Sequence, residues 1–421
     1  MTTLLLTPIL FNYLGEERYG LWLTITSFLM TMTFFDLGLG NGLLNLVSSA
    51  YGRDQQEEIR RALSNAMILL GGLATVLFSS VLVATRLLPL PAWIGISDPA
   101  LMPEAVDTLL ALGLAMALNI FTITIQRTQE GMQKAYVNSV LAMVANLLAL
   151  GLIVLGVRLE WPLAVMAFIV ASTPAMAAII NGVILFSKNP LLRPSFKLFD
   201  LAIVKSLFVT GIAFLVIQIA WAIGFNSDNI VISRILGQSE VTQYGIPMGL
   251  FTIPPLITSL FLTPLWPAYI EAIERGDKAW VRSTFAKSIK LAIIINLPLT
   301  LLLCLTGRIV IPLYAGEGGD ILRLDWALMI GAALFSLLTA FNGPLSMLLN
   351  GFREMRFQAT CVSFMAITNI AVSIALVRTI GIAGAVWGSN LAVLLFMLGP
   401  YSIRAAQALR KDAILPTIPT E

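Results

Sequence analysis

The sequence predicts an all-α polytopic membrane protein made of two six-helix lobes related by a parallel internal repeat. It has about 12 transmembrane helices, the first of which is truncated at its N-terminus. Three observations lead to this prediction: a strongly apolar composition, long apolar segments that recur along the chain, and a motif series that occurs twice. We predict lobes at residues 1–190 (helices 1–6, helix 1 incomplete) and 191–421 (helices 7–12 and a short tail).

The composition places most of the surface in lipid. Of the 421 residues, 58% are hydrophobic and 12% are charged, whereas soluble domains carry about 25% charged residues. The chain has no histidine, which excludes histidine metal ligands, Ser-His-Asp triads and imidazole proton relays. The net charge of +3 and the lack of a basic run argue against nucleic acid as a partner. We therefore expect no catalytic residue, no metal and no cofactor.

Long apolar segments define the helices. A bilayer is crossed by about 20 apolar residues, and eleven segments satisfy or exceed this length. They lie at residues 19–50, 62–88, 105–126, 136–157, 162–187, 201–235, 243–270, 286–314, 325–350, 357–378 and 381–403. The polar, proline-bearing stretch between Ser187 and Asp200 is predicted to be the hinge between the lobes.

A repeat relates the two halves. Leu14–Gly20 corresponds to Leu236–Gly237 with Tyr244 and Gly245, and Gly131 corresponds to Gly351. In this register Met1 aligns with Ile223, deep inside the segment that begins at Leu201, so we expect the first helix to lack its front half. With an even number of helices per half, both lobes share one orientation, as in secondary transporters with parallel repeats.

Basic residues predict the orientation. Counting the partial first helix, 19 of the 26 lysines and arginines follow even-numbered helices or lie in the C-terminal tail. Cytoplasmic loops of membrane proteins are enriched in Lys and Arg. Both termini are therefore predicted to be cytoplasmic.

Asp36 is the sharpest single candidate for a substrate or ion path. It lies in the middle of the second helix, followed by Gly38, Gly40 and Gly42, and a carboxylate at membrane depth needs a wet cavity or a partner. The alternative is a structural carboxylate that accepts hydrogen bonds from neighbouring backbone or asparagine groups. Asn41 and Asn45 on the same helix are candidates for the same path.

A second polar patch occurs in the seventh helix. Asn226, Asp228 and Asn229 are predicted to line the path, and Arg234 follows about one and a half turns later. Either Asp228 and Arg234 form an internal ion pair, or Arg234 extends to the surface while Asp228 faces a cavity. Prolines from Pro247 to Pro267 predict an interrupted eighth helix, which suits a gate or a static kink.

Four basic residues occupy equivalent inner turns after the fourth and tenth helices. Arg127, Lys134, Arg353 and Arg356 are candidates for contacts to a phosphate at the cytoplasmic mouth. Ordinary positive-inside residues would give the same pattern, and we prefer that interpretation.

The opening of the chain resembles a known family. Tyr13-Leu14-Gly15-Glu16-Glu17-Arg18-Tyr19-Gly20-Leu21-Trp22 and Phe35-Asp36-Leu37-Gly38-Leu39-Gly40 are similar to polysaccharide-biosynthesis membrane proteins, the Wzx-type lipid-linked oligosaccharide flippases of the multidrug/oligosaccharidyl-lipid/polysaccharide (MOP) exporter superfamily. The resemblance implies two six-helix lobes that form a V around a cavity lined by helices 1, 2, 7 and 8. It carries Asp36 and the Asp228–Arg234 region over as cavity positions, and the sequence offers no arginine cluster there for a pyrophosphate.

The resemblance also implies an activity. A flippase of this kind turns a polyprenyl-pyrophosphate-linked oligosaccharide, an O-antigen or exopolysaccharide repeat unit, from the cytoplasmic to the outer leaflet of the inner membrane by alternating access. Expected partners are that substrate, membrane lipid, a coupling proton or sodium ion and other polysaccharide-assembly proteins. The alternatives are a multidrug cation antiporter of the same superfamily, a membrane glycan polymerase or ligase, and a non-transporting scaffold. The short, histidine-free outer turns argue against an enzyme.

Overall fold

The computed structural model describes residue 13 and residues 36–88, 102–315 and 324–410. Within this part of the chain the regular structure is entirely helical, which confirms the predicted all-α class. The α-helices are α1 (Leu39–Gly52), α2 (Gln56–Leu87), α3 (Met102–Gly131), α4 (Ala135–Arg158), α5 (Leu163–Lys188), α6 (Leu201–Ile235), α7 (Gln238–Phe251), α8 (Ile253–Leu262), α9 (Leu265–Glu274), α10 (Lys278–Ala315), α11 (Trp326–Gly351), α12 (Met355–Ile380), α13 (Ala383–Val393) and α14 (Gly399–Arg410).

Ten helical stretches among the described residues are long and apolar enough to cross a bilayer. They match ten of the eleven segments predicted from hydropathy. The eleventh, residues 19–50, lies partly outside the described residues, as do the incomplete first helix and the motif Leu14–Gly20. Large apolar side chains are exposed along many of these helices. Since water would not tolerate so much exposed apolar surface, the protein is a polytopic membrane protein.

The chain divides into two compact units, Met1–Ile212 and Ala213–Glu421. In the first unit, α3 packs along both α2 and α5. Gly42 on α1 allows a close approach to the Leu207 backbone at the start of α6, because a Cβ there would lie 3.0 Å from the Leu207 carbonyl oxygen. The lobe boundary at residue 190 stays a prediction, since compactness and a repeat boundary are different properties.

In the second unit, α12 packs closely along α13. This approach depends on Gly384 and Gly388, since a Cβ at either position would overlap backbone atoms of α12. The side-chain amide of Asn390 donates to the Gly331 carbonyl oxygen at 2.9 Å, which ties α13 to α11. Side-chain amides commonly form such hydrogen bonds between membrane helices.

The repeat is visible in the turns. Gln133 and Arg353 both have φ near +60°, at 62° and 59°, and each follows the helix that ends at Gly131 or Gly351. Both turns use the same backbone hydrogen bonds, such as Lys134 N–H to Gln129 and Glu354 N–H to Leu349. Equivalent segments of the two halves therefore have the same local structure.

The predicted eighth helix is interrupted twice. Its apolar stretch, Glu240–Glu274, contains α7, α8 and α9, with breaks at Thr252 and at Thr263–Pro264. Proline lacks an amide hydrogen and clashes with the preceding turn, so the prolines account for the breaks. This confirms the predicted interruption.

Candidate functional site

The second unit contains a buried carboxylate held by hydroxyl groups. Asp228 on α6 is only 1% exposed. Its Oδ2 accepts hydrogen bonds from the Tyr244 hydroxyl at 3.0 Å and from the Ser389 hydroxyl at 2.7 Å, and its Oδ1 accepts one from the Ser373 hydroxyl at 3.2 Å. These donors come from α7, α13 and α12, so four helices meet at this group.

The Ser373 hydroxyl lies within hydrogen-bonding distance of three oxygen atoms but has one proton to donate. Its Oγ is 2.7 Å from the Asn369 side-chain oxygen, 3.2 Å from the Ala385 carbonyl oxygen and 3.2 Å from Asp228 Oδ1. A serine hydroxyl has one proton, so two of these three oxygens remain without it. We define the oxygens of Asp228, Asn369, Ser373, Ala385 and Ser389 as the oxygen cluster. Its donor chemistry suits a hard cation, which prefers carboxylate, carbonyl and hydroxyl oxygens.

The cluster carries one negative charge without a protein cation. Among the described residues, no ion pair joins Asp228 to Arg234, whose side chain is exposed. Of the two alternatives weighed for this pair, the internal ion pair is therefore not found. A buried carboxylate is costly unless it is hydrogen-bonded or paired. Here the hydroxyl groups of Tyr244, Ser373 and Ser389 supply the hydrogen bonds, and among the described residues no cation pairs with the carboxylate.

A cavity of about 780 Å³ lies next to this cluster, within the second unit. Asp228, Asn229 and Tyr244 belong to its wall, which is otherwise built from α6, α7, α8 and α11. Helices 7 and 8 of the predicted scheme line this cavity within the second unit, and a cavity that they share with helices 1 and 2 stays a prediction. Its volume is in the range of small-ligand sites.

Aromatic rings form one side of the cavity. The ring centroids of Trp221 and Phe225 are 4.4 Å apart, and those of Phe225 and Phe335 are 5.1 Å apart. Most of the exposed wall is apolar, hydroxyl and amide side chains interrupt it, and Asp228 is the one charged residue on the described wall. The uncharged polar residues are Asn229, Thr252, Thr258, Ser259, Thr339, Asn342 and Ser346.

Asn342 and two glycines of α7 lie on the cavity wall. Asn342 is only 4% exposed, and its Oδ1 has no hydrogen-bond partner among the described residues. Gly245 and Gly249 on α7 also belong to the wall, and a Cβ at either position would meet no atom within 4 Å. A ligand in the cavity can therefore approach the α7 backbone at these two glycines.

Asp36, in the first unit, starts a helix. Its Oδ1 accepts the Gly38 N–H at 3.0 Å and its Oδ2 accepts the Gly40 N–H at 3.2 Å. Leu37 and Gly38 have φ of 52° and 71°, so the chain turns sharply before α1 begins at Leu39. This geometry corresponds to the structural alternative considered above, in which the carboxylate accepts backbone hydrogen bonds.

We expect Asp36→Ala to lower the free energy of unfolding by about 1–2 kcal/mol, because two amides at the start of α1 lose their acceptor. Asp36→Asn keeps one side-chain oxygen and should fall between Asp36→Ala and the wild type. Denaturant unfolding in detergent micelles measures this order. Equal stability of the three proteins would contradict the capping role.

The other predicted path residues divide between the two units. Asn41 and Asn45 are buried on α1, and Asn41 Oδ1 has no partner among the described residues. Asn229 is exposed at the cavity wall. The side chain of Asn226 lies outside the described residues. A path role for all of them stays a prediction.

Two of the four predicted phosphate contacts are paired with carboxylates. Arg127 donates to Glu130 at 2.8 Å, and Arg353 contacts Glu274 at 2.5 Å. Lys134 is half-buried and Arg356 is exposed, and neither has an ion pair among the described residues. The latter two are thus the better placed of the four to meet an anion.

Sequence reasoning missed the donors of the oxygen cluster. Ser373 and Ser389 lie in two different apolar helices, and nothing in the sequence links them to Asp228. The sequence contains one local indication of these contacts. Asn369 and Ser373 are four residues apart on one helical face, and Gly384 and Gly388 predict a close helix contact beside them.

Comparison with solved structures defines the fold. A multidrug resistance MATE family transporter of the MOP superfamily, in an outward-facing conformation, is similar with a TM-score of 0.76 at 17% identity, covering 96% of this chain and 93% of that chain. A MATE structure in a straight conformation gives a TM-score of 0.74 at 17% identity, covering 95% and 91%. The chain therefore has the fold of MOP-superfamily transporters.

A third structure comes from Pyrococcus furiosus Vc1. It is a MOP superfamily transporter whose reversed binding-pocket polarity is described as suggesting a different function, with a TM-score of 0.74 at 18% identity and coverage of 96% and 91%. A sequence comparison with curated proteins found no match. The family model described as polysaccharide biosynthesis protein matches residues 1–272. The chain belongs to this polysaccharide biosynthesis protein family, as its opening motif predicts.

Proposed function

We propose that this protein flips a polyprenyl-pyrophosphate-linked oligosaccharide from the cytoplasmic to the outer leaflet of the inner membrane, by alternating access and without covalent chemistry. Membership of the polysaccharide biosynthesis protein family supports a glycan-related substrate. The fold supports transport. The observation that carries the proposal is the chemistry of the cavity wall in the second unit.

The wall suits a sugar. Pyranose rings present apolar C–H faces, which pack on aromatic rings such as those of Trp221, Phe225 and Phe335. Their hydroxyl groups exchange hydrogen bonds with hydroxyl and amide side chains of the wall, such as those of Asn229, Thr339 and Ser346. Neither set of contacts requires a charge on the sugar, so a neutral oligosaccharide matches these parts of the wall.

The oxygen cluster supports sodium as the coupling ion. A sodium ion would pair with the carboxylate of Asp228. It would also be coordinated by the oxygens that do not receive the hydrogen bond of the Ser373 hydroxyl. From its depth alone, Asp36 is the sharpest sequence candidate for an ion path. Since both of its oxygens bind backbone amides, we assign the coupling role to Asp228.

The orientation follows from the basic residues, with both termini and the even-numbered turns in the cytoplasm. In this orientation Lys134 and Arg356 lie at the inner turns, where they meet the pyrophosphate as it approaches. The lipid tail stays in the bilayer during the exchange. Other polysaccharide-assembly proteins supply the substrate and remove the product.

Leaflet exchange of a lipid-linked oligosaccharide with a fluorescent head group tests the proposal. In liposomes, an impermeant quencher reports how much of the head group is in the outer leaflet. We expect exchange faster than in empty liposomes. Gly249→Leu, which fills the cavity, should slow it by at least about tenfold, which corresponds to about 1.4 kcal/mol of barrier. Gly72→Leu is the matched control, since a Cβ at Gly72 also meets no atom within 4 Å but that position is not on the cavity wall.

A second candidate function is export of small cations, which is favoured by the negative sign of the one charged residue on the described wall. A fluorescent cationic dye in the same liposomes separates the two functions. Sodium-driven dye uptake with no oligosaccharide exchange would contradict the flippase and support the antiporter. No exchange and no uptake by a folded protein would contradict both.

A further inference from the structure

The segment between α5 and α6, residues 189–200, is fixed to the side of α2. We call this segment the linker. It contains two short 3₁₀ turns, Pro190–Leu192 and Phe196–Leu198. The side chain of Asn65 on α2 donates to the Leu198 carbonyl oxygen at 2.9 Å and accepts the Asp200 N–H at 2.8 Å.

Two further hydrogen bonds hold the linker. The Ser195 N–H donates to the Ser64 hydroxyl oxygen at 3.1 Å, and the Arg60 Nε donates to the Arg193 carbonyl oxygen at 2.9 Å. Ser64 and Asn65 are both buried. The linker is therefore a docked element within the first unit, and the positions of its side chains are set by these bonds.

Several apolar side chains of the linker are exposed. Phe196 is 84% exposed, Leu191 and Phe199 are also exposed, and so is Leu201 at the start of α6. Leu192 alone of the linker's apolar residues is buried. Exposed aromatic and aliphatic side chains on a fixed backbone are unfavourable in water. Such side chains are stable at the headgroup level of a bilayer.

Basic residues surround this apolar face. Lys188, Arg193, Lys197 and Lys205 are exposed, and Asp200 is the one acidic residue between 188 and 205. The Asp200 carboxylate already accepts the Ala202 N–H at 2.9 Å at the start of α6. The linker thus combines exposed apolar side chains with a net positive charge. A net positive charge attracts an anionic lipid headgroup.

A groove of about 250 Å³ lies under the linker. Its wall is mostly apolar and consists of Ser64, Met67, Ile68, Phe121, Pro194, Ser195 and Phe196. The groove therefore opens beside the exposed ring of Phe196 and next to Arg193 and Lys197 in the chain. An acyl chain fits this lining, whereas a free inorganic anion gains nothing from it.

We propose that the linker and this groove bind an anionic phospholipid, whose phosphate contacts Arg193 and Lys197 and whose acyl chain enters the groove beside Phe196. The lipid holds the linker at the membrane surface. The predicted hinge between the lobes is then an anchored element that responds to the lipid composition of the membrane. This inference does not depend on which substrate the protein transports.

Lipid-dependent thermal stability in detergent tests the proposal. Phosphatidylglycerol should raise the unfolding temperature at lower concentration than phosphatidylcholine with the same acyl chains, since a ligand that binds the folded state stabilises it. For the double variant Arg193→Ala/Lys197→Ala, we expect the half-saturating phosphatidylglycerol concentration to rise about 20-fold. Lys287→Ala/Lys290→Ala removes the same charge from exposed positions in the second unit and is the matched control.

The acyl-chain contact has its own variant. Phe196→Ser should weaken phosphatidylglycerol binding about tenfold, whereas Phe364→Ser, at another exposed phenylalanine, should not. Equal stabilisation by phosphatidylcholine, equal stabilisation by inorganic phosphate at the same concentration, or equal behaviour of the two double variants would each overturn the proposal. Because all the substituted side chains are exposed, the variants are expected to fold, and their unfolding temperatures without lipid check this.

Discussion

Under the sodium coupling proposed above, Asp228→Asn is expected to weaken sodium binding strongly and to remove the sodium dependence of transport. The substitution keeps the shape of the side chain and one acceptor oxygen for the hydroxyl groups of Tyr244 and Ser389, but it removes the one negative charge of the oxygen cluster. Removing one partner of a buried charge pair costs about 3–5 kcal/mol, so the sodium affinity should fall by about 100-fold or more. Radioactive sodium binding to the purified protein measures this loss, with thermal stabilisation by sodium over choline as a second readout.

Asp36→Asn is the matched control for this experiment. Asp36 is also a buried carboxylate, at 8% exposure, but its oxygens bind the backbone amides of Gly38 and Gly40. This variant should keep its sodium affinity while losing some stability. Sodium binding that survives in Asp228→Asn and disappears in Asp36→Asn would reverse our assignment. Transport driven by a pH gradient and indifferent to sodium would replace sodium with a proton as the coupling ion.

The second large effect is expected from Gly388→Ala. A Cβ at this position would overlap the Ser373 hydroxyl and lie 2.8 Å from the Ser373 backbone nitrogen, and the backbone of α12 cannot move aside without separating from α13. Overpacking of this kind costs about 1–3 kcal/mol in the free energy of unfolding. Because Ser373 is displaced as well, sodium affinity should fall by at least about tenfold, since site ligands tolerate shifts of only about 0.5 Å.

Two further glycine variants distinguish a loss of stability from a change in the geometry of the oxygen cluster. A Cβ at Gly384 would overlap the backbone of Leu376 and Val377, which are outside the oxygen cluster. Gly384→Ala should therefore lower stability at least as much, and it should reduce sodium affinity less than Gly388→Ala does, because it does not displace Ser373. Gly151→Ala, where a Cβ meets no atom within 4 Å, should be neutral or stabilising by up to about 1 kcal/mol. Similar sodium affinities in Gly384→Ala and Gly388→Ala would contradict a specific role for the position of Ser373.

Much of the architecture follows from local sequence. Apolar segments of membrane-spanning length predict ten of the helices that the structure describes, because in lipid the backbone must satisfy its own hydrogen bonds. The prolines from Pro247 to Pro267 predict the breaks between α7, α8 and α9, because proline acts on the turn that contains it. The repeat predicts that the turns after Gly131 and Gly351 share a geometry, which they do.

The role of a buried polar residue depends on its neighbours. Sequence position alone made Asp36 and Asp228 equivalent, since each is an acidic residue within an apolar segment. Two left-handed residues after Asp36 bring backbone amides to its carboxylate. Around Asp228 the partners are side chains from α7, α12 and α13.

The sequence by itself determined the class of the protein, its helices, its repeat and its family, because each of these rests on composition, periodicity or a contiguous motif. Only the tertiary structure decided that Asp228 is surrounded by Tyr244, Ser373 and Ser389, and that the linker is docked on α2 by Ser64 and Asn65. These residues are far apart in the chain. Their contacts depend on how closely helices approach, and a sequence without its packing does not specify that distance.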